Sequence, residues 1–368
     1  MLTVGITGSG GGVGSAVLKS LAMASLETQV VCFDTAASTP GMFRGDRARL
    51  IPNVADPAYR EALLEACEQE GLDVLIPGLD PELEPLAAMA ADLEALGCTL
   101  IGSSPLVNRL LFDKLRSSDF FEGFGLPFAK TVPMARVEEL LDLHGLPLLI
   151  KPVSGSASRG VHVVFDLKEL KALAAEGVAY VAQNYLLPLP WGKSRKDLRP
   201  EDVYSNHSLV QRDEHMVQVL SDPQGDPLGV FYSRNVLKEG AVVHMTPLEG
   251  DPHGARAAAI QMAKCLAEIG QVGPCNFQGR VTAEGPFFYE INPRFSGGTG
   301  MRACLGFNEV EACLRRLVLK ESQDQARACL ATRYDQVCGM HPAERVMETH
   351  LIERLKREGR VDLPGAQG

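Results

Sequence analysis

The chain has 368 residues, of which 45% are hydrophobic and 22% charged, and a formal net charge of −10. That length suits two or three domains with a sizeable core. The acidic balance argues against a nucleic-acid or membrane-surface partner, either of which calls for a basic face. Nine cysteines, none spaced Cys-x-x-Cys, predict reduced core thiols in a cytoplasmic protein with no zinc site. No apolar run is long enough to span a bilayer, and Met1 leads straight into a strand pattern, which predicts no signal peptide.

Residues 2–7 alternate apolar and small side chains and read as a strand. Gly8-Ser9-Gly10-Gly11-Gly12-Val13-Gly14 follows, then a helix pattern over 15–24 and a second strand over 28–33 ending at Asp34. A glycine loop between strand and helix, with an acidic residue about 20 positions later, is the dinucleotide fingerprint. It has two readings: an NAD(P) or FAD site with Asp34 on the ribose, or a tight turn for close helix–sheet packing. The rhythm continues with a helix from Asp56-Pro57 to about Gly71, a short strand over 73–77, a helix from Asp80-Pro81 to Gly97, and a strand over 99–102. Alternating strands and helices predict a parallel α/β sheet over 1–104.

From Ser104-Pro105 the pattern changes. Asp113-Lys114 opens a helix, and an apolar strand over 147–152 carries Lys151 near its end. The small-residue loop Ser154-Gly155-Ser156-Ala157-Ser158-Arg159-Gly160 follows, then a returning strand over 161–164. A lysine beside such a loop suits phosphate, by point charge from Lys151 and by backbone N–H groups from the loop; the other reading is a snorkelling surface lysine. Residues 178–186 form a further strand. Residues 187–207, with the single tryptophan Trp191, read as an inserted loop, either a disordered excursion or a lid. A hairpin over 214–236, a helix over 254–270 and a second hairpin follow; beyond Gly306 the chain reads as mainly helical, with a frayed polar tail over 358–368.

The second hairpin, 276–292, carries the densest chemistry. A three-residue loop at 283–285, with Gly285 at positive φ, would set Gln278 opposite Glu290. Period-two alternation would put Phe288, Glu290 and Asn292 on one face. Gln278, Glu290 and Asn292 would then converge as oxygen ligands for Mg²⁺, with Arg294 and the backbone of 296–300 beside them for phosphate. The alternative is an edge hairpin with a polar solvent face.

Taken in order, these motifs resemble the ATP-grasp superfamily, in its carbamoyl-phosphate-synthetase-like branch of carboxylate–amine ligases. The resemblance covers 1 to about 310, and its most specific part is Gln278 with Glu290-Ile291-Asn292-Pro293-Arg294. It implies α/β and α+β architecture: a Rossmann-like pre-ATP-grasp domain (1–104), then an ATP-grasp domain of two α+β subdomains clasping ATP, small (105–186) and large (187–320), and a helical C-terminal extension and tail (321–368). It implies ATP with Mg²⁺, two ions, for which Mn²⁺ substitutes, held by Gln278, Glu290 and Asn292. Arg294 and Lys151 would be catalytic, and Lys114 and Lys151 would meet the ATP phosphates under a flap that includes Ser156, Ser158 and Gly160. Gln183, Tyr185 and Leu186 would form the adenine hinge, with Leu209-Val210-Gln211 as the alternative hinge, and Glu214 would bind the ribose. The implied reaction joins a carboxylate to an amine through an acyl phosphate. The partners would be small-molecule carboxylate and amine substrates and a second copy in a homodimer, and Arg302 is a further candidate contact for the carboxylate. A carbamoyl- or carboxy-phosphate-forming synthetase is the rival within the family, and an NAD(P)-dependent oxidoreductase built on Gly8–Gly14 is the rival outside it.

Overall fold

The computed structural model describes residues 1–153, 155, 160–205, 208–341 and 346–363. The first sheet holds β1 (Leu2–Ile6), β2 (Thr28–Asp34), β3 (Arg47–Leu50), β4 (Val74–Ile76) and β5 (Thr99–Leu100), all parallel, in the order β3-β2-β1-β4-β5. Helices Gly12–Ala22 and Tyr59–Glu70 connect them. Val74, Leu75 and Ile76 are all fully buried, as an apolar run without alternation requires when both sheet faces are covered.

Two expectations change here. The helix foreseen from Asp80 to Gly97 is broken into a 3₁₀ turn at Asp80–Glu82 and two short helices, Leu83–Ala88 and Ala90–Ala95. Buried Met89 sits at the break with φ −96° and ψ 2°. The foreseen frayed tail instead contains a strand. Arg360–Asp362, which becomes β17, pairs antiparallel with β3 and buries Val361 in the core of the first sheet. Helix Thr349–Glu358 leads into it and buries Leu355 in the same core.

A four-stranded sheet follows, in the order β6 (Thr131–Pro133), β9 (Tyr180–Asn184), β7 (Leu148–Pro152), β8 (His162–Val164). The seven-stranded sheet contains β10 (Tyr204–Ser205), β11 (Ser208–Ser221), β12 (Pro227–Lys238), β13 (Ala241–Pro247), β14 (Gly273–Thr282), β15 (Gly285–Asn292) and β16 (Cys338–Gly339). Its order is β15-β14-β11-β12-β13-β16, with β10 on β11. One hydrophobic core runs from Val4 and Ile6 of the first sheet to Phe231 of the large sheet, and takes in Phe295 and Phe307 beyond it. The first domain and the large sheet are therefore packed as one body, and the polar end of β15 lies at their junction.

The inserted stretch is packed over its described residues. Leu198 and Val203 are buried with Tyr185 and Val163, Trp191 Nε1 donates to Asp213 Oδ2 at 2.8 Å, and Arg195 Nη1 donates to the Pro147 carbonyl at 2.9 Å. It is a brace between the small sheet and the start of β11. All nine cysteines are free thiols.

Candidate active site

β14 and β15 pair Gln278 with Glu290 and Asn276 with Asn292. The expected register is therefore present, but its cause differs. Thr282 pairs with Gly285, so the loop is two residues, Ala283 and Glu284, not three. A bulge then opposes Gln278-Gly279 with Phe288-Tyr289-Glu290, leaving Tyr289 unpaired and shifting the alternation by one residue. The consequence is visible in the side chains. Phe288 is not on the face of Glu290 and Asn292; it is buried with Phe277 and Ile291 in the core under helix Ala255–Ala267. Gly279 is where the bulge closes most tightly: a Cβ there would lie 2.2 Å from the Phe287 carbonyl oxygen.

Asn292 Nδ2 donates to Glu290 Oε1 at 3.2 Å, and Gln278 Nε2 donates to Asn276 Oδ1 at 3.2 Å. This set offers one carboxylate and two amides, and among the described residues no three His, Cys, Asp or Glu side chains gather as a metal site. A hard cation that takes most of its shell from phosphate oxygens and water fits such a donor set. Arg294 forms a salt bridge with Asp80 of the first domain and donates to the Phe295 carbonyl at 2.8 Å.

Two cavities meet at Glu290. The first is lined by Lys114, Lys151, Gln183, Tyr185, Leu186 and Glu290, with Leu149, Val161, Gln211 and Arg280 completing the walls. It brings together residues from helix Lys114–Gly123, β7, the residue just before β8, β9 with the residues after it, β11, and the β14–β15 hairpin. The second is lined by residues of the first domain from Asp80 to Ala88, by Lys114, and by Glu290 and Asn292. Lys114, Gly155, Tyr289 and Glu290 form the shared wall.

Lys151 is 3% exposed. Its Nζ donates to Gln183 Oε1 at 2.8 Å and to the Tyr289 carbonyl at 3.3 Å, and lies 5.6 Å from the Tyr289 ring centre. Burial lowers its pKa to about 7, against the opposing pull of Glu290. Lys114 Nζ donates to the Gly155 carbonyl at 3.3 Å, and burial lowers its pKa as well. Two ammonium groups held by neutral oxygens, with one carboxylate nearby, make a site for a polyanion.

Glu214 is placed differently from the rest. It is fully buried and does not line either cavity. Oε1 takes the Arg280 guanidinium, 2.7 Å from Nε, and Oε2 accepts from the Tyr289 hydroxyl at 2.7 Å. Arg280 also donates to the Leu186 carbonyl at 2.8 Å. Glu214 therefore holds the bulge residue Tyr289 directly, and through Arg280 the chain at Leu186. Arg280 and Tyr289 are cavity residues that sequence reasoning did not single out. Arg280 shares the alternation of Gln278, which was a usable signal; the bulge at Tyr289 left none. Gly160 is exposed and outside the cavity linings, and Ser156 and Ser158 lie outside the described residues. Arg302, the further candidate for the carboxylate, lines neither cavity: it is 1% exposed and bound to Glu309, Ser296 and Thr299.

The N-terminal glycine loop is filled by the protein itself. Asp34 Oδ2 accepts from Gly10 N at 3.0 Å and Oδ1 from Thr35 N at 2.8 Å. Thr39 and Gly41 pack onto Ser9 and Gly10, and a Cβ at Gly10 would come within 1.7 Å of Thr39 Cγ2. The loop is a packing device, the second of its two sequence readings.

Comparison with known proteins agrees with this arrangement. Residues 6–101 match the family model described as PylC-like, N-terminal domain, and residues 252–339 match ATP-grasp in the biosynthetic pathway with Ter operon. The large chain of carbamoyl phosphate synthase from Rubrobacter xylanophilus is 29% identical over 72% of this chain and 25% of its own length. Biotin carboxylase from Pseudomonas aeruginosa is 27% identical over 66% of this chain and 54% of its own length. The chain thus spans about a quarter and about half of these relatives. N5-carboxyaminoimidazole ribonucleotide synthetase from Thermus thermophilus has the same fold, with a TM-score of 0.63 at 20% identity, over 90% of this chain and 80% of that one. The Staphylococcus aureus synthetase, solved with ADP, gives 0.62 at 16% identity over 87% and 78%. The chain thus shares the fold of these synthetases, its residues 6–101 are similar to PylC-like N-terminal domains, and its residues 252–339 are similar to an ATP-grasp family.

Proposed function

We propose that the chain is an ATP-dependent ligase that joins a carboxylate to an amine through an acyl phosphate, releasing ADP and phosphate. The observation that carries this reading is the convergence of Lys114, Lys151 and Glu290, from three distant segments, on one cavity that ends at the strand 180–184 and Tyr185-Leu186. Leu149, Val161 and Leu186 offer apolar walls to a base. Lys114 and Lys151 reach the phosphates. Gln278, Glu290 and Asn292 would hold Mg²⁺ or Mn²⁺, two ions in all, which when bound neutralise charge on the β- and γ-phosphates.

The substrate carboxylate enters from the second cavity. Its oxygen attacks the γ-phosphorus, and ADP leaves. The amine then attacks the acyl carbon, loses a proton, and phosphate leaves. Arg294 steadies the transferring phosphoryl group and is oriented by Asp80. The small sheet, β6 to β9, closes the nucleotide in. Its partners are small molecules and, as for the relative solved as a biotin carboxylase domain dimer, a second copy. No helix among the described residues is long and apolar enough to cross a membrane.

A carboxy-phosphate route from bicarbonate is the second reading, favoured by the biotin carboxylase relative; the second cavity, of about 390 Å³, is far larger than bicarbonate needs. The test is carboxylate-dependent ADP release. Glu290→Gln should lower it by roughly two orders of magnitude or more, the scale on which removing one transition-state charge partner acts. Turnover that survives this change would sink the scheme.

A further inference from the structure

The second cavity carries information on the substrate that neither the metal set nor the comparisons assign. It begins at the shared wall of Lys114 and Glu290 and runs toward the first domain. Away from that wall it is lined mainly by Leu83, Pro85, Ala88, Leu111, Phe112 and Phe128. Its volume of about 390 Å³ is the size of a small-molecule site. Beyond Lys114 and Glu290, its charged lining residues are two paired carboxylates: Asp80 with Arg294, and Glu84 with Arg109 at 2.9 Å. Lys114 is the one cation among its described lining residues, and it stands on the nucleotide side, against the Gly155 carbonyl.

We propose that the acceptor is a monocarboxylic acid with an aliphatic or aromatic body: the carboxylate lies at the end of the cavity that holds Lys114 and Asn292, and the body lies against the apolar wall. This rests on the ligase reading above. The same wall disfavours a phosphorylated sugar of the kind the ribonucleotide synthetases of this fold are named for. Phosphate recognition calls for a fork of guanidinium or ammonium donors, and apart from Lys114 the charged lining residues here are the carboxylates Asp80, Glu84 and Glu290. A second charged group at the far end would be desolvated without a partner.

The test uses the full chain with Mg-ATP and hydroxylamine, which captures an acyl phosphate as a hydroxamate, over a panel of acids: acetate, 3-phenylpropionate, L-leucine, L-phenylalanine, L-aspartate and ribose 5-phosphate. For the last, which has no carboxylate, ADP release alone is read. Binding of a non-hydrolysable ATP analogue is measured alongside. The expected result is hydroxamate from the apolar acids, with kcat/KM for 3-phenylpropionate roughly ten- to a hundredfold above acetate, the worth of one buried apolar group. Ala88→Asp, an exposed change on the cavity rim, should raise KM for the apolar acid at least tenfold with analogue affinity kept. Equal or faster turnover with L-aspartate or ribose 5-phosphate overturns the proposal. So does an unchanged KM in the variant, or analogue binding with no hydroxamate from any apolar acid. Failure of the analogue to bind at all would instead remove the ligase reading on which the proposal stands.

Discussion

Lys151 should act as a proton acceptor when nucleotide binds. In the empty protein its pKa is lowered to about 7 from the ordinary 10.5 by burial. At pH 8 about nine-tenths of it is then neutral, and at pH 6 about one-tenth. Phosphate oxygens beside Nζ favour the charged form and restore a high pKa. Binding of Mg²⁺ and a non-hydrolysable ATP analogue should therefore take up roughly 0.9 proton at pH 8 and roughly 0.1 at pH 6 from this group. Lys114, also lowered by burial, adds uptake in the same direction. Calorimetric titration in two buffers of different ionisation enthalpy reads the number directly. Lys151→Met should abolish most of the uptake at pH 8. The same shift fixes a stability effect. The folded pKa lies below the unfolded one, so the unfolded chain binds more protons between about 7 and 10.5, and stability rises with pH through that window. Below about 7 the buried cation costs on the order of 5 kcal/mol at most, and Lys151→Met should be more stable than the parent at pH 6. Uptake under about 0.2 proton at pH 8, or equal uptake in the methionine variant, would refute the reasoning.

Three further outcomes follow from particular contacts. Glu214→Ala strands the buried Arg280 guanidinium and frees Tyr289, and should cost roughly 3–5 kcal/mol in denaturant unfolding; a fully stable variant with only weaker nucleotide binding would instead favour direct ribose contact. Gly279→Ala forces a methyl group against the Phe287 carbonyl and should open the bulge, with a stability loss above about 1 kcal/mol and weakened Mg²⁺-dependent nucleotide binding. Val361→Asp places a carboxylate in the core beside β3 and should destabilise the protein by several kcal/mol; an unchanged urea midpoint would show that β17 is not part of the first sheet.

How far the site can be read from sequence depends on whether a residue's role is local. The parallel sheet of the first domain, the hairpin, and the two lysines follow from periodicity and from residues placed at element ends, all short-range signals. The Gln278–Glu290 pairing was legible too, though a two-residue loop with a bulge produces it rather than a three-residue loop. Bulges depend on cross-strand sterics, and Gly279 against Phe287 is a contact that no spacing rule exposes. Glu214 shows the opposite limit. Its position at the head of an apolar run marks it as special, but not that Arg280, 66 residues on, would occupy it. The tail is illegible for a different reason: Arg360-Val361-Asp362 has too few apolar residues to announce a strand, and only the open edge of β3 gives it a partner. The glycine loop has the form of a dinucleotide motif, yet Asp34 and Thr39 of the protein itself pack against it.

Nucleotide should bind between Lys114, Lys151 and Glu290, with the N-terminal glycine loop playing no part. One calorimetric series tests it most directly: the purified protein titrated with a non-hydrolysable ATP analogue, with and without Mg²⁺, and separately with NADH and NADPH. The expected result is Mg²⁺-dependent binding of the analogue, lost in Glu290→Gln, and no heat from either dinucleotide. Dinucleotide binding without analogue binding would contradict it and move the site to Gly8–Gly14.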